Sequence, residues 1–225
     1  MSYLSRIDHA FSDAPVLPLS ENGRYGLFSD CHRGIGTSND NFLKNQHLYF
    51  AALNYYYQHS FCYIELGDGD ELWENRSFSA IQNIHSNVFW LLSLFYEEHR
   101  LFMLFGNHDI AKKDFHPFSD CCFHEGLRLK DCVTGQELYL THGHQADFFN
   151  STLWRLSCFL VRYLWKPLEQ FGVLDPTSAA KNYKVKNKTE QRLQEWTKLH
   201  KKILITGHTH RPVLGLSLIH ISEPT

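Results

Sequence analysis

Tyr25-Gly-Leu-Phe28 runs directly into Ser29-Asp-Cys-His-Arg-Gly34, a short apolar run ending in a polar loop that opens with Asp and His. The arrangement recurs four more times: Cys62-Tyr-Ile-Glu-Leu66 before GDGDE, Leu101-Phe-Met-Leu-Phe105 before GNHD, Glu137-Leu-Tyr-Leu-Thr141 before HGHQAD, and Ile203-Leu-Ile-Thr206 before GHTH. Short runs rich in aromatic and branched residues, punctuated by Gly, read as buried strands. Between the first three lie helical stretches, about 41–59 and 77–100, long enough for right-handed crossovers between parallel strands. Leu127 to Leu140 alternates around a Thr-Gly turn and reads as a β-hairpin. The fold class is therefore α/β, with polar loops gathered at the C-terminal ends of strands, where such sheets bind ligands.

The 225 residues are 43% hydrophobic, 15% aromatic and 20% charged. That apolar content can bury a sizeable core, which excludes a disordered chain, a collagen-like repeat and a disulfide-stapled miniprotein. The length predicts one domain with an inserted lobe. The 22 Lys+Arg against 24 Asp+Glu give a formal charge of −2, which argues against a nucleic-acid coat. Cys31, Cys62, Cys121, Cys122, Cys132 and Cys158 form no CxxC pair and no regular disulfide framework. Residues 1–20 carry no apolar signal core. The longest apolar run, 153–165, is interrupted by Arg155 and Arg162 and is shorter than the ~20 residues a membrane span requires. The expectation is a reducing, cytoplasmic setting with no transmembrane segment.

Between Asn150 and Lys202 the strand rhythm stops. Leu153, Leu156, Leu160 and Leu164 fall on one helical face and Trp154, Cys158, Val161 and Trp165 on another. Pro167 and the Asp175-Pro176 step break that pattern, and a second helix, about 189–200, follows. Lys181 to Lys202 holds eight Lys/Arg against two Glu, a composition that usually marks a solvated face. Leu216–Thr225 matches, residue for residue, the translation of a transposon-type sequencing adapter. The domain is accordingly expected to span 1–215, with 216–225 a non-native tail and His220 outside the ligand set.

Histidine is the compositional outlier, with 15 residues. Asp30 and His32 stand two apart just after the first strand. Asp68 follows the second strand, Asn107 the third, His142 the fourth, and His208 with His210 the fifth. Carboxylate and imidazole ligands suit Mn, Fe and Zn, and a shared carboxylate can hold two ions roughly 3.5–4 Å apart. One such residue after one strand is usually structural; five strand ends bearing them together point to a metal centre. Two cations would acidify a shared water and neutralise phosphoryl oxygens. A nearby His could then supply the leaving-group proton.

The ordered set Asp30-x-His32, Gly67-Asp68-x-x-Glu71, Gly106-Asn107-His108-Asp109, His142 and Gly207-His208-Thr209-His210 resembles the calcineurin-like metallophosphoesterase signature, from about Tyr25 to Pro212. The resemblance implies a four-layer αββα sandwich, C-terminally truncated here, with a helical lid insertion at about 150–202. It also implies two divalent ions, Mn foremost and Fe or Zn as alternatives. One ion would take Asp30, His32, Asp68 and His210, the other Asn107, His142 and His208, with Asp68 bridging. His108 would be the catalytic acid or phosphoryl stabiliser, oriented by Asp109; their plainer readings are a buried or helix-capping histidine and an N-cap. Within the family, GHTHRP and the insertion are similar to the UDP-2,3-diacylglucosamine pyrophosphohydrolase type. GNHD departs from that type, which tends to carry Arg in place of His.

Further readings stay open at this point. Asp70 and Glu71 are either partners of a ligand or a solvated pair. His144 is either a substrate contact or bonded to a backbone carbonyl, with His142 preferred as the ligand. Arg33 either clamps a phosphate of the substrate or is a plain surface arginine. The insertion, with Trp154, Phe159, Tyr163, Trp165 and Phe171, either holds an acyl or nucleobase group or packs on its own core. The resulting expectation is a metal-dependent phosphoesterase acting on a phosphorylated small-molecule or lipid-linked substrate, with peripheral membrane contact open. The alternatives are a nucleic-acid-processing nuclease and a non-catalytic interaction module.

Overall fold

Each of the five apolar runs is a strand in the computed structural model, which describes residues 1–37, 40–114, 118, 123–165 and 182–213. The Cys121-Cys122 pair, the breaks at Pro167 and Asp175-Pro176, Phe171, Lys181 and the tail 216–225 lie outside the described residues. In chain order the elements begin with α1 (Tyr3–Ala10), β1 (Val16–Leu19), β2 (Tyr25–Phe28), α2 (Gln46–Gln58) and β3 (Cys62–Leu66). Then come α3 (Phe78–Ile84), α4 (Ser86–Glu97), β4 (Leu101–Leu104), β5 (Phe123–His124), β6 (Gly126–Asp131) and β7 (Glu137–Thr141). Last are α5 (Phe148–Ser151), α6 (Trp154–Leu160), α7 (Tyr183–His200) and β8 (Ile203–Ile205).

Two four-stranded sheets result. One, ordered β2-β3-β4-β5, is parallel throughout. In the other, β1-β6-β7-β8, the expected hairpin β6–β7 is the antiparallel pair and β1 and β8 join its two sides in parallel. Side chains alternate across a strand, and β3 uses both faces. Ile64 and Leu66 meet Leu104, Leu127, Leu129 and Leu140 between the sheets. Tyr63 faces the other way, into a cluster with Tyr49 and Leu53 of α2 and Leu91, Leu92 and Phe95 of α4. On the far side, Tyr139 of β7 packs with Ile7 of α1, Phe11, and Leu193 and Trp196 of α7. The layers run helices, sheet, sheet, helices.

Three boundaries differ from the sequence expectation. The stretch 77–100 is two helices, interrupted at His85, whose buried ring nitrogen Nε2 lies 2.9 Å from the Asp40 carboxylate. The apolar run 153–165 begins as α6 and closes in a π-helical turn, Val161–Trp165. Within the stretch 150–202 expected to form a lid, the C-terminal part faces inward: the indole of Trp196 lies in the core, tilted against Phe11 and edge-on to Tyr139. Helix α7 is thus a structural layer covering the second sheet. No helix among the described residues is long and apolar enough to cross a membrane.

Candidate metal centre

Five loops converge where the C-terminal ends of β2, β3 and β4 meet those of β7 and β8. Backbone hydrogen bonds join the loops directly: Asp30 N–H donates to Gly67 O, His32 N–H to Asp68 O, and Gly207 N–H to His142 O, at 2.9–3.1 Å. The carboxylates add to this lacing. Asp68 Oδ1 accepts the His108 N–H at 2.8 Å, and both Asp30 oxygens accept the His208 N–H. Such close approach requires glycine at its tightest point. A Cβ on Gly106 would sit 2.1 Å from Asp68 Oδ1, and one on Gly67, at φ +93°, 2.6 Å from the Gly106 nitrogen.

The ligand candidates themselves carry backbone strain. Asp30, His32, Asp68, His208 and His210 all have φ between +49° and +74°. This left-handed region is sparsely occupied by residues other than Gly, although Asp and His tolerate it better than most. It turns each side chain inward from the first positions of its loop.

Among the described residues four groups of possible ligand atoms form, each with all its atoms within 4.8 Å of one another. Asp30–His32–His210 and Asp68–His142–His208 hold the expected ligands, and His32–Glu71–His108 and Glu65–Asp70–Asp109 flank them. Asp68 stands on the border between the first two: its Oδ2 is 3.1 Å from His142 Nε2 and 3.9 Å from His32 Nε2. His210 Nε2 is 3.1 Å from Asp30 Oδ1 and 3.3 Å from His32 Nε2. Asn107 Oδ1 and His208 Nε2 are buried without a hydrogen-bond partner, and His142 Nε2 has the Asp68 carboxylate beside it. Buried polar atoms are rarely left unsatisfied without a reason. Carboxylate, amide oxygen and imidazole together fit a divalent transition-metal ion, so this buried His/Asp cluster can hold metal.

Outer partners fix which nitrogen each imidazole presents. His142 Nδ1 lies 3.0 Å from Leu66 O and His32 Nδ1 3.0 Å from Glu71 Oε2, the partners that ligating histidines usually have. In each ring Nε2 then faces the other ligand candidates, His210 for His32 and Asp68 for His142. Burial pushes His208 down to about 3, which keeps it neutral as ligation requires. Burial opposes charge on His142 as well, but Asp68 and Asp30 outweigh it and lift its pKa to about 9. Burial would also raise the Asp68 carboxyl, yet His142 and His108 hold it well below the carboxylate range.

His108 is at the rim, with its side chain 23% exposed. Its Nδ1 is 2.8 Å from Glu71, and its ring is stacked at 4.3 Å on Trp73. Burial disfavours its cation, but Glu71 and Asp68 more than offset this, and its pKa is pushed up to about 10.

Several expectations change here. Glu71, and not Asp109, orients His108. The Asp109 carboxylate instead accepts the N–H groups of Asp68, Gly69 and Gly106 at 2.7–3.1 Å. Asp70 and Glu71 are both buried, so the solvated-pair reading falls. Arg33 is corrected as well: its guanidinium is fully buried and paired with Asp70 and Glu65, so it neither clamps a substrate phosphate nor lies at the surface. His144 is 2% exposed, against His142 and Phe105, with Nδ1 unpartnered. Sequence reasoning missed Lys112 and Glu65. The signal for Glu65 was present, since a charged residue inside the buried run CYIEL needs a buried partner.

The sequence matches no family model and no curated protein.

Proposed function

We propose that the chain is a metal-dependent phosphoesterase of the calcineurin-like metallophosphoesterase type, hydrolysing a phosphomonoester, phosphodiester or pyrophosphate bond. The observation that carries the reading is the convergence of seven ligand-type residues from five strand ends, two of them, Asn107 and His208, with buried ligand atoms that have no partner. Asp30, His32 and His210 would hold one ion and Asn107, His142 and His208 the other, with Asp68 between them. Two divalent ions, when bound, acidify a water and neutralise phosphoryl charge. Around them the chain's own residues orient the reaction. Glu71 engages Nδ1 of His108 and leaves Nε2 to carry a proton to the leaving group at the rim. Trp73 fixes the plane of that ring.

The segment over this rim supports a role in substrate choice. Arg162 in the π-helical turn donates to the carbonyl oxygens of Trp73 and Leu72 at 2.7 and 2.9 Å. Nearby in sequence, Phe159 and Tyr163 are each more than half exposed. Aromatic surface beside a phosphate-cleaving centre would favour a substrate with an apolar or planar group.

Stripping the chain with a chelator and assaying a small aryl phosphodiester tests the function. Activity should vanish and return with Mn(II), Fe(II) or Zn(II). Full turnover by the metal-free chain, or none under any of the three ions, overturns the reading.

A further inference from the structure

Next to the metal centre lies a second set of charges that the proposed reaction does not use. Arg33, Glu65, Asp70, Asp109 and Lys112 are all fully buried. Three of them sit beside ligands in the sequence: Arg33 follows His32, and Asp70 and Asp109 each come two positions after Asp68 and Asn107. Arg33 Nε is 2.7 Å from Asp70 Oδ1, and its Nη2 is 2.9 Å from Glu65 Oε2. Lys112 Nζ is 2.5 Å from Asp70 Oδ2, 2.7 Å from Asp109 Oδ2 and 3.6 Å from Glu65 Oε1. Tyr63 donates to Glu65 and exchanges a 2.6 Å hydrogen bond with Tyr49 of α2, which anchors the set in the helical layer.

The carboxylates of Glu65, Asp70 and Asp109 are close enough to share an ion, but the place among them is taken by the Lys112 ammonium. A cation tethered by its own side chain does there what a metal would do. Without it, three buried carboxylates would face one guanidinium, and uncompensated buried charge is strongly unfavourable. The consequence reaches the ligands through Asp109. Its oxygens hold the N–H groups of Asp68 and Gly69 on one loop and of Gly106 on the next. Those bonds set the spacing between Asp68 and Asn107.

We propose that Lys112 is a positioning residue of the metal centre, whose ammonium gathers Asp70 and Asp109 and thereby fixes the two loops that present Asp68, Asn107 and His108. The inference rests on the metal-centre reading given above.

Calorimetric titration of the chelated full chain with Mn(II), beside thermal melts of the metal-free protein, tests it. Lys112→Met should weaken Mn(II) binding by ~10–100-fold, the range for losing an outer partner of a ligand set. Lys112→Gln keeps amide donors without the charge; it should weaken binding by ~10-fold and decides the matter if Lys112→Met does not fold. A lower melting temperature with unchanged Mn(II) affinity in the folded variants marks the cluster as mere scaffold and overturns the proposal. Failure of the unaltered chain to bind Mn(II) overturns the metal-centre reading itself, and this inference with it.

Discussion

On the proposed reading the two ring nitrogens of His108 differ, Nδ1 held by Glu71 and Nε2 left to carry the leaving-group proton. Although His108 also lies close to His32 and Glu71 in a third group of possible ligand atoms, it is outside the two groups around Asp30 and Asp68. His108→Ala should therefore lower kcat by ~10²–10⁴, the range for a lost general acid, with metal content intact by elemental analysis. Asp68→Ala should do the reverse, losing metal first, because its carboxylate borders both ligand groups. Metal loss in the histidine variant would reassign His108 as a ligand. At this scale the sequence was legible wherever a residue type announces its chemistry. Asp30, His32, Asp68, Asn107, His142, His208 and His210 do gather at one end of the molecule. It was illegible for Arg33 and Lys112. A basic residue in a loop reads as solvent-facing until its buried anions, Glu65, Asp70 and Asp109, are brought beside it from elsewhere in the chain.

Among the elements, the segment 154–165 and helix α7 both come from the stretch expected to be a lid, yet they behave differently. Trp196 of α7 is 3% exposed, wedged against Phe11 and Tyr139. Trp196→Ala should cost ~3–5 kcal/mol, read as a lowered denaturation midpoint, because the sheet would lose its cover. Arg162 instead reaches from the π-helical turn to the carbonyls that flank Trp73, the residue stacked on His108. Arg162→Ala should leave the denaturation midpoint nearly unchanged and lower kcat by ~10–100-fold, as small misplacements of a reacting group do. Equal stability losses in the two variants would return both to a single structural role. The strands were legible because period-two alternation and Gly punctuation are local signals. Helix α1, with its Ser2 cap, and β1 were not anticipated. Their short amphipathic runs acquire meaning only when α7 and β6 arrive beside them. The interruption at His85 was equally hidden, since it depends on a carboxylate 45 residues away.

For the whole molecule, the candidate centre adds to the apolar core between the sheets a second junction, made by the loops of both. Ligands from β2 and β3 meet ligands that follow β7 and β8, and the only strand ladders in the described residues run within each sheet. A divalent ion held by ligands from both sheets would bind the native state and not the unfolded chain. Mn(II) at 100 times its dissociation constant should then stabilise the fold by ~2.7 kcal/mol, and a chelator should remove that gain. A melting curve indifferent to Mn(II) would separate ion binding from sheet cohesion.

On the proposed reading, the left-handed backbone at Asp30, His32, Asp68, His208 and His210 would set activity and robustness against each other. Glycine occupies that region at no steric cost, so His208→Gly would relax its loop while removing an imidazole nitrogen that has no hydrogen-bond partner. The carboxylates of Asp30 and Asp68, by contrast, also hold the N–H groups of His208 and His108. Libraries sorted for heat resistance in the absence of metal would therefore drift toward glycine at His208, at the expense of the proposed activity. Directed evolution of this scaffold needs turnover, and not survival of the fold, as its criterion.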